Sequence, residues 1–209
     1  MNNSKNEWER WHEHAKNHFK EHKAKFVFDN EDFTVIDWRN KDGRSDYYIN
    51  FFVDKRRGSL HIDGDLGSSI ATWYNRLTIR DLKSYIYHDV GYYMKKFQCT
   101  SDKYVYDEDE VFEDLVEMLD RESIDEYIET SAEFDNFDEF KDDVIDEICN
   151  SMRGRLFIPN DRLYEIATDI YPDAWEGLSS CGRAIDGRVY LWAIGFYMAV
   201  TQLEELCIL

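Results

Sequence analysis

Apolar residues recur at helical spacing in the first 25 residues of the chain and alternate in a strand-like way over the next 40. Trp8, Trp11, Ala15 and Phe19 lie three or four positions apart, which predicts one amphipathic helix over this stretch. Four β-rich runs separated by turn-forming sequence then predict an antiparallel meander of three or four strands. These runs are Phe26–Phe28, Phe33–Trp38, Tyr47–Val53 and Ser59–Ile62.

The pattern changes back to helical spacing after the glycine-containing turn Gly64–Gly67. Ile70, Trp73 and Tyr74 fit the start of a helical segment. Thr78 is the predicted N-cap of a further helix from Ile79 to Tyr87, because its hydroxyl can accept a hydrogen bond from the first helical turn.

Two acidic segments of the second half of the chain each predict an amphipathic helix. At 100° per residue, the acids of the first segment lie on one side and its apolar residues on the other. The acids are Glu110, Glu113, Asp114 and Glu117, and the apolar residues are Val111, Leu115, Val116 and Leu119. In the second segment Phe137, Phe140, Val144 and Ile148 share one face, and Glu139, Asp142, Asp143 and Asp146 take the other.

The rest of the chain also has a helical pattern. Pro159 and the following Asn-Asp pair predict the start of a helix that continues to Ala167. The run Val189–Val200 has twelve residues, fewer than the eighteen or more of a membrane span, so no membrane insertion is implied. Because this last helix is apolar on all sides, it must be buried in the core or against a second copy, and we favour the core.

These elements predict the α+β class: an N-terminal helix, a small antiparallel sheet of three or four strands, and a largely helical, acidic second half. We place the boundary between an α+β part and a helical part near residue 104, with residues 1–104 and 105–209 packed as one unit.

The net charge of −19 is concentrated in one segment. Residues 101–150 contain 21 Asp and Glu against three Lys and Arg, whereas residues 1–100 have 15 acidic and 17 basic residues. A field of one sign attracts oppositely charged surfaces and repels nucleic acid. The predicted partner is therefore a basic protein, and direct binding of nucleic acid is not expected.

The spacing of the acids resembles that of phosphates in a nucleic acid. The four carboxylates from Glu110 to Glu117 would cover about 10 Å of helix, which is about one carboxylate per 3 Å. This value is close to the distance of about 3.4 Å between phosphates of one DNA strand. The alternative is a solvated face that serves solubility alone. The predicted partner-binding residues are Asp107, Glu108, Asp109, Glu110, Glu113, Asp114, Glu117, Asp120, Asp138, Glu139, Asp142, Asp143, Asp146 and Glu147.

Other candidate sites are weaker, and we predict neither a metal nor another cofactor. The acidic run at residues 107–110 lacks the ligand spacing and glycine of an EF-hand. His14, His18 and His22 would share one helix edge and could hold zinc in pairs, but a third ligand cluster is missing. Asp63, Asp65 and Asp81 could act as metal ligands of a nuclease, but their spacing in the sequence is not diagnostic of such a site.

Two further features concern environment and assembly. Cys99, Cys149, Cys181 and Cys207 form no CxxC pair, which predicts reduced thiols in a cytoplasm. The basic turn Lys55–Arg57 could pair with the acidic helices of another copy and so support a homodimer.

Three segments resemble small uncharacterised proteins carried by phages and prophages of Gram-positive bacteria. They are Gly64-Asp-Leu-Gly-Ser-Ser-Ile-Ala-Thr-Trp73, Val90-Gly-Tyr-Tyr93 and Phe97-Gln-Cys-Thr-Ser-Asp-Lys-Tyr104. The resemblance covers roughly residues 33–115, about two-fifths of the chain, and that family brings no assigned activity. Together with the acidic helices, it looks like the anti-restriction and anti-CRISPR inhibitors that occupy the DNA channel of a host nuclease.

The sequence thus leads to a first hypothesis and two alternatives. The first is a non-enzymatic phage inhibitor whose acidic helices fill the basic nucleic-acid site of a host defence nuclease, such as the CRISPR effector Cas9, in the host cytoplasm. The second is an acidic interaction or assembly protein whose partner docks on the aromatic sheet without DNA mimicry. A metal-dependent enzyme ranks last.

Overall fold

The computed structural model describes residues 3–131 and 133–206. The chain divides into two compact units. Unit 1 comprises Met1–Lys103 together with Asp186–Leu209, and unit 2 comprises Tyr104–Ile185. Unit 2 is therefore an insertion between two parts of unit 1.

Helices and strands alternate irregularly along the chain. In sequence order they are α1 (Asn3–His18), β1 (His22–Asp29), β2 (Phe33–Asn40), β3 (Ile49–Asp54), β4 (Ser59–Gly64), β5 (Ser69–Thr72), α2 (Ile79–His88), α3 (Val90–Met94), β6 (Phe97–Thr100), β7 (Tyr104–Tyr106), α4 (Glu108–Leu119), α5 (Arg121–Ser131), α6 (Phe137–Ser151), β8 (Met152–Arg153), β9 (Leu156–Phe157), α7 (Asp161–Ile170), β10 (Arg183–Ile185) and α8 (Gly187–Glu205). Two 3-10 helices, Ala174–Glu176 and Leu178–Ser180, lie between α7 and β10.

Unit 1 is a six-stranded antiparallel sheet with helices on one face. The strands pair in chain order from β1 to β6. Since side chains alternate along a strand, alternate residues of β2 to β5 face the helices, and most of these are buried. These buried residues include Ile36, Trp38, Ile49, Phe51, Val53, Leu60 and Ile62.

Helix α8 is the centre of this core. It packs on β1, β2 and β3, and α1, α2 and α3 pack against it. Eleven of its residues are buried, and the Phe196 ring meets the Phe51 ring with 5.1 Å between centroids. Gly195 faces the sheet where a Cβ atom would lie 3.0 Å from Ile49 Cδ1, so only a small residue lets the helix come this close. The prediction that this helix is buried in the core is confirmed.

Unit 2 is built from α4, α5, α6 and α7 around a second hydrophobic core. The short hairpin of β8 and β9 and the two 3-10 helices complete it. Its buried side chains come from all four helices: Val111, Leu115, Leu119, Ile124, Phe140, Val144, Ile148, Leu163 and Ile166.

The two ends of unit 2 lie side by side. Strands β7 and β10 form an antiparallel ribbon, with Tyr104 opposite Ile185 and Tyr106 opposite Arg183. In unit 1, the Asp186 amide donates a hydrogen bond of 3.0 Å to the Lys103 carbonyl. The insertion therefore begins and ends at neighbouring points.

The α+β class is confirmed, and three details differ from the prediction. The sheet has six strands instead of three or four, because Ser69–Thr72 is β5 and not the start of a helix, and Phe97–Thr100 is β6. The predicted N-terminal helix ends at His18, and the chain turns into β1 at His22. The boundary near residue 104 agrees with the structure, but Asp186–Leu209 belongs to unit 1 because α8 fills its core.

Two predicted helix starts are found in the structure. Thr78 caps α2 in a capping box with Asp81, and Asn160 caps α7 by accepting a hydrogen bond from Leu163 N. Within residues 3–131 and 133–206, none of the helices combines the length and apolarity that a bilayer span requires.

His22 is a buried titratable group in the core of unit 1. The residue is 3% exposed, and its Nε2 lies 3.2 Å from the Tyr47 carbonyl, which fixes this nitrogen as the donor. Nδ1 has no hydrogen-bond partner, and the ring lies between Phe19 and Trp38. Burial lowers the pKa of His22, and the nearby His18 lowers it further, while the Tyr47 and Asp46 carbonyls act in the opposite direction.

We expect unit 1 to lose stability as the pH falls below about 6.5. The unfolded chain takes up a proton at His22 near its ordinary pKa, whereas the folded chain resists until a lower pH. The stability is therefore complete at neutral pH and declines through mild acid. Urea unfolding of wild type and His22→Gln between pH 7.5 and 5.5 checks this, and an equally steep decline in the variant would contradict it.

Candidate protein-binding surface

The acidic helices begin at well-formed caps. The Asp107 side chain accepts hydrogen bonds from the amides of Asp109 and Glu110, and the Asn136 side chain does the same for Asp138 and Glu139. Acids in the first turn also interact favourably with the positive end of the helix dipole. The sequence therefore stabilises both helix starts in spite of the repulsion among the carboxylates.

Helices α4 and α6 lie side by side and antiparallel. At one end, Cys149 Sγ of α6 is 3.5 Å from a carboxylate oxygen of Glu108, the first residue of α4. At the other end, the Arg121 guanidinium, just after α4, stacks 3.3 Å from the centre of the Phe137 ring at the start of α6. The charge pattern alone did not determine this arrangement, which brings the two acidic faces together.

Two aromatic rings mark the seam between the helices. Phe112 of α4 and Phe137 of α6 are partly exposed, with 6.5 Å between their centroids. Each ring carries one cation, because the Lys141 ammonium lies 5.7 Å from the Phe112 centroid and Arg121 covers Phe137. The acidic surface is therefore two sets of carboxylates separated by an aromatic seam.

Twelve of the fourteen predicted partner-binding residues are exposed. Asp143 and Glu147 are the exceptions and are partly buried. Both lie on the side of α6 that meets α7, where Asp143 pairs with Arg162 at 3.8 Å and Glu147 accepts a hydrogen bond of 2.5 Å from the Asn160 amide. Both carboxylates therefore have partners within unit 2, and we leave them out of the proposed binding surface.

Four of the exposed predicted residues also have contacts within unit 2. Asp107 caps α4, and Glu108 meets Cys149. Asp114 accepts a hydrogen bond of 2.7 Å from the Gly182 amide, and Glu139 accepts one of 2.8 Å from the Asp135 amide.

The remaining eight carboxylates, which we call the outer carboxylates, form no hydrogen bond or ion pair through their side chains in the described part of the chain. They are Asp109, Glu110, Glu113, Glu117, Asp120, Asp138, Asp142 and Asp146.

The formal net charge of the protein resides entirely in unit 2. Unit 2 has 25 Asp and Glu and six Lys and Arg, a charge of −19, while unit 1 has 19 of each. Like charges on one helix face cost a few tenths of a kcal/mol per neighbouring pair. The carboxylates therefore oppose the folding of unit 2 and produce a strong negative field outside it.

The histidine and aspartate candidates do not form a metal site. His14 and His18 are neighbours on α1, with ring centroids 4.3 Å apart, but His22 is a core residue of β1. Asp65 accepts a hydrogen bond from the Tyr47 amide, and Asp81 belongs to the cap of α2. Among residues 3–131 and 133–206, no group of three or more His, Cys, Asp or Glu has the geometry to hold a metal ion.

The basic turn and the cysteines have ordinary local roles. Lys55 pairs with Asp29 at 3.1 Å, and the Arg56 guanidinium covers the Phe33 ring at 4.3 Å from its centroid. Cys99, Cys149 and Cys181 are free thiols, and Cys207 lies outside the described residues.

No family model, curated protein or solved structure matches this chain.

Proposed function

We propose that the chain is a non-enzymatic, phage-encoded inhibitor that binds a host defence nuclease in the host cytoplasm. The outer carboxylates of α4 and α6 occupy the basic nucleic-acid site of this nuclease. The observation that carries the proposal is the antiparallel pairing of two acidic helices whose outer carboxylates have no partners within the described part of the protein. A CRISPR effector such as Cas9 is the leading candidate target, because the charge pattern is similar to that of DNA-mimic inhibitors.

Electrostatics determines how such a complex behaves. A unit with a charge of −19 accelerates encounter with a basic surface, and salt weakens the attraction because the screening length is about 10 Å at 0.1 M. DNA and the inhibitor should exclude each other from the target. Direct binding to nucleic acid is not expected, since the acidic surface repels phosphates.

Neutralising four outer carboxylates should abolish most of the binding. The variant Glu113→Gln, Glu117→Gln, Asp142→Asn, Asp146→Asn avoids the carboxylates that support the fold, Asp114 included. We expect its affinity for the target to fall about tenfold or more at about 0.1 M salt, with a shallower dependence on salt. Affinity capture from a lysate of a Gram-positive host, with mass spectrometry, compares this variant with wild type.

A matched control separates the surface from the total charge. Glu122, Glu126, Glu129 and Glu165 are carboxylates of α5 and α7, outside the α4–α6 surface, and their change to Gln removes the same four charges. Capture of one basic nuclease by wild type and by this control, with loss in the outer-carboxylate variant and release by added DNA, would support the proposal. Equal capture by all three proteins would rule out the α4–α6 surface as the binding site.

The exposed aromatic face of the sheet favours one alternative, an interaction or assembly protein without DNA mimicry. Phe28 and Phe52 are 49% and 36% exposed on this face. A partner bound there would tolerate high salt and would be lost on substitution of these rings, which distinguishes it from a partner of the outer carboxylates.

A further inference from the structure

An apolar row crosses the face of the unit 1 sheet opposite to α8. The strand register aligns one residue from each of the six strands, and cross-strand partners point to the same face. The row consists of Phe28, Val35, Phe52, His61, Ile70 and Cys99. The Phe33 ring lies beside it, with 5.7 Å between the centroids of Phe33 and Phe52.

Cations border this row at the β1 end of the sheet. Lys23 and Lys25 are on β1, on the same face, and neither forms an ion pair with another described residue. The neighbouring Asp37 is paired with Arg39 at 2.7 Å and offers little free negative charge. We call the surface formed by Lys23, Lys25, Phe28, Phe33, Phe52 and Arg56 the receptor surface.

Unit 2 carries an exposed segment of complementary chemistry, Tyr171–Glu176. Trp175 is 57% exposed and Tyr171 is 46% exposed, while Asp173 and Glu176 are exposed without an ion pair in the described chain. The segment is ordered, because Ala174 is buried at 1% exposure and its amide donates a hydrogen bond to the Tyr171 carbonyl. Rigid Trp and Tyr side chains are the residues that most often dominate binding energy at interfaces.

We propose that the Tyr171–Glu176 segment of one copy docks on the receptor surface of a second copy of this chain. The Trp175 and Tyr171 rings cover Phe28 and Phe52, and Asp173 and Glu176 meet the unpaired Lys23 and Lys25. The contact joins two different surfaces, so reciprocal contacts give a closed dimer and non-reciprocal contacts give longer chains.

The dependence on salt distinguishes this contact from the binding of a basic partner. Each copy carries a charge of −19, so two copies repel each other at long range. Salt screens that long-range repulsion, whereas it leaves the aromatic contact in place and screens the Asp and Glu pairs with Lys23 and Lys25, partly buried beside it, much less. Self-association should therefore tighten as salt is added. Binding through the outer carboxylates should weaken under the same change, and the two proposals can therefore fail independently.

Sedimentation equilibrium of the full chain tests the proposal. From about 50 mM to about 500 mM NaCl, we expect the dissociation constant of self-association to fall at least threefold. Trp175→Ala and Phe52→Ser should each raise it about tenfold or more. Tyr85→Ala, an exposed aromatic on α2 outside both surfaces, should leave it unchanged.

A charge exchange makes the test specific. Lys23→Glu with Lys25→Glu should block the receptor surface, and Asp173→Lys with Glu176→Lys should block the segment, while a mixture of the two folded variants should associate again. A chain that stays monomeric at both salt concentrations would overturn the proposal. Association that survives both Trp175→Ala and Phe52→Ser would overturn it as well.

Discussion

Replacing Gly182 by alanine should destabilise unit 2 by about 3 kcal/mol or more. Gly182 has a φ of +64° and lies against α4, where a Cβ atom would come within 2.6 Å of Val111 N and 2.8 Å of Val111 Cα. Backbone atoms cannot move aside as a flexible side chain can. Relief of the clash would also pull the Gly182 amide away from the Asp114 carboxylate, to which it donates a hydrogen bond of 2.7 Å.

Gly154 provides the matched control. It lies in the same unit with a φ of +66°, but a Cβ atom there would meet nothing within 4 Å. Gly154→Ala should therefore cost about 1 kcal/mol, which is the strain of the left-handed backbone alone. Urea unfolding followed by circular dichroism measures both variants, and equal losses of stability would contradict the close approach of Gly182 to α4.

The second large effect is expected at the centre of unit 1. Phe196 of α8 is fully buried against Phe51 of the sheet. Phe196→Ala removes a large ring and leaves a cavity, which typically costs about 3–5 kcal/mol. Hydrogen exchange should show the loss of protection in the amides of β2, β3 and α8.

Met198 on the same helix serves as the comparison for Phe196. Its side chain is partly exposed, so Met198→Ala should cost clearly less than the cavity at Phe196. If the two substitutions had the same small effect, α8 would not be the core helix of unit 1.

Local signals were sufficient for much of the fold. The cap at Thr78 and the start of α7 at Asn160 follow from side chains that bind the nearest amides. The apolar stripes of α4 and α6 were found because several helical turns repeat the same spacing. Leu115 and Val144 are buried as that spacing predicts.

The secondary structure and domain organisation were predicted incorrectly where a segment is short or where its structure depends on residues distant in the sequence. Strand β5 has four residues, too few for alternation to be distinguished from helical spacing, and Ile70 and Trp73 fit either pattern. His22 continues the helical spacing of His14 and His18, but pairing of β1 with β2 determines its conformation. Local patterns also do not reveal that Asp186–Leu209 returns to the first unit.

For the candidate surface, too, the sequence predicts local properties but not tertiary contacts. Exposure of the outer carboxylates follows from helical geometry alone. The contacts of Asp143 and Glu147 within the unit could not be predicted in this way. Arg162 of α7 and its N-cap residue Asn160 approach that side of α6 only in the folded unit. The antiparallel pairing of α4 with α6 is likewise a tertiary property.

Because β7 and β10 pair, unit 2 could be inserted into another protein as a single segment. Its two ends leave on paired strands, which lie about 5 Å apart in any sheet. A surface hairpin of an unrelated protein offers the same spacing and could accept residues 104–185 without a new linker. Such a graft would transfer a charge of −19 to its host, and the donor chain closed between Lys103 and Asp186 would be left electrically neutral.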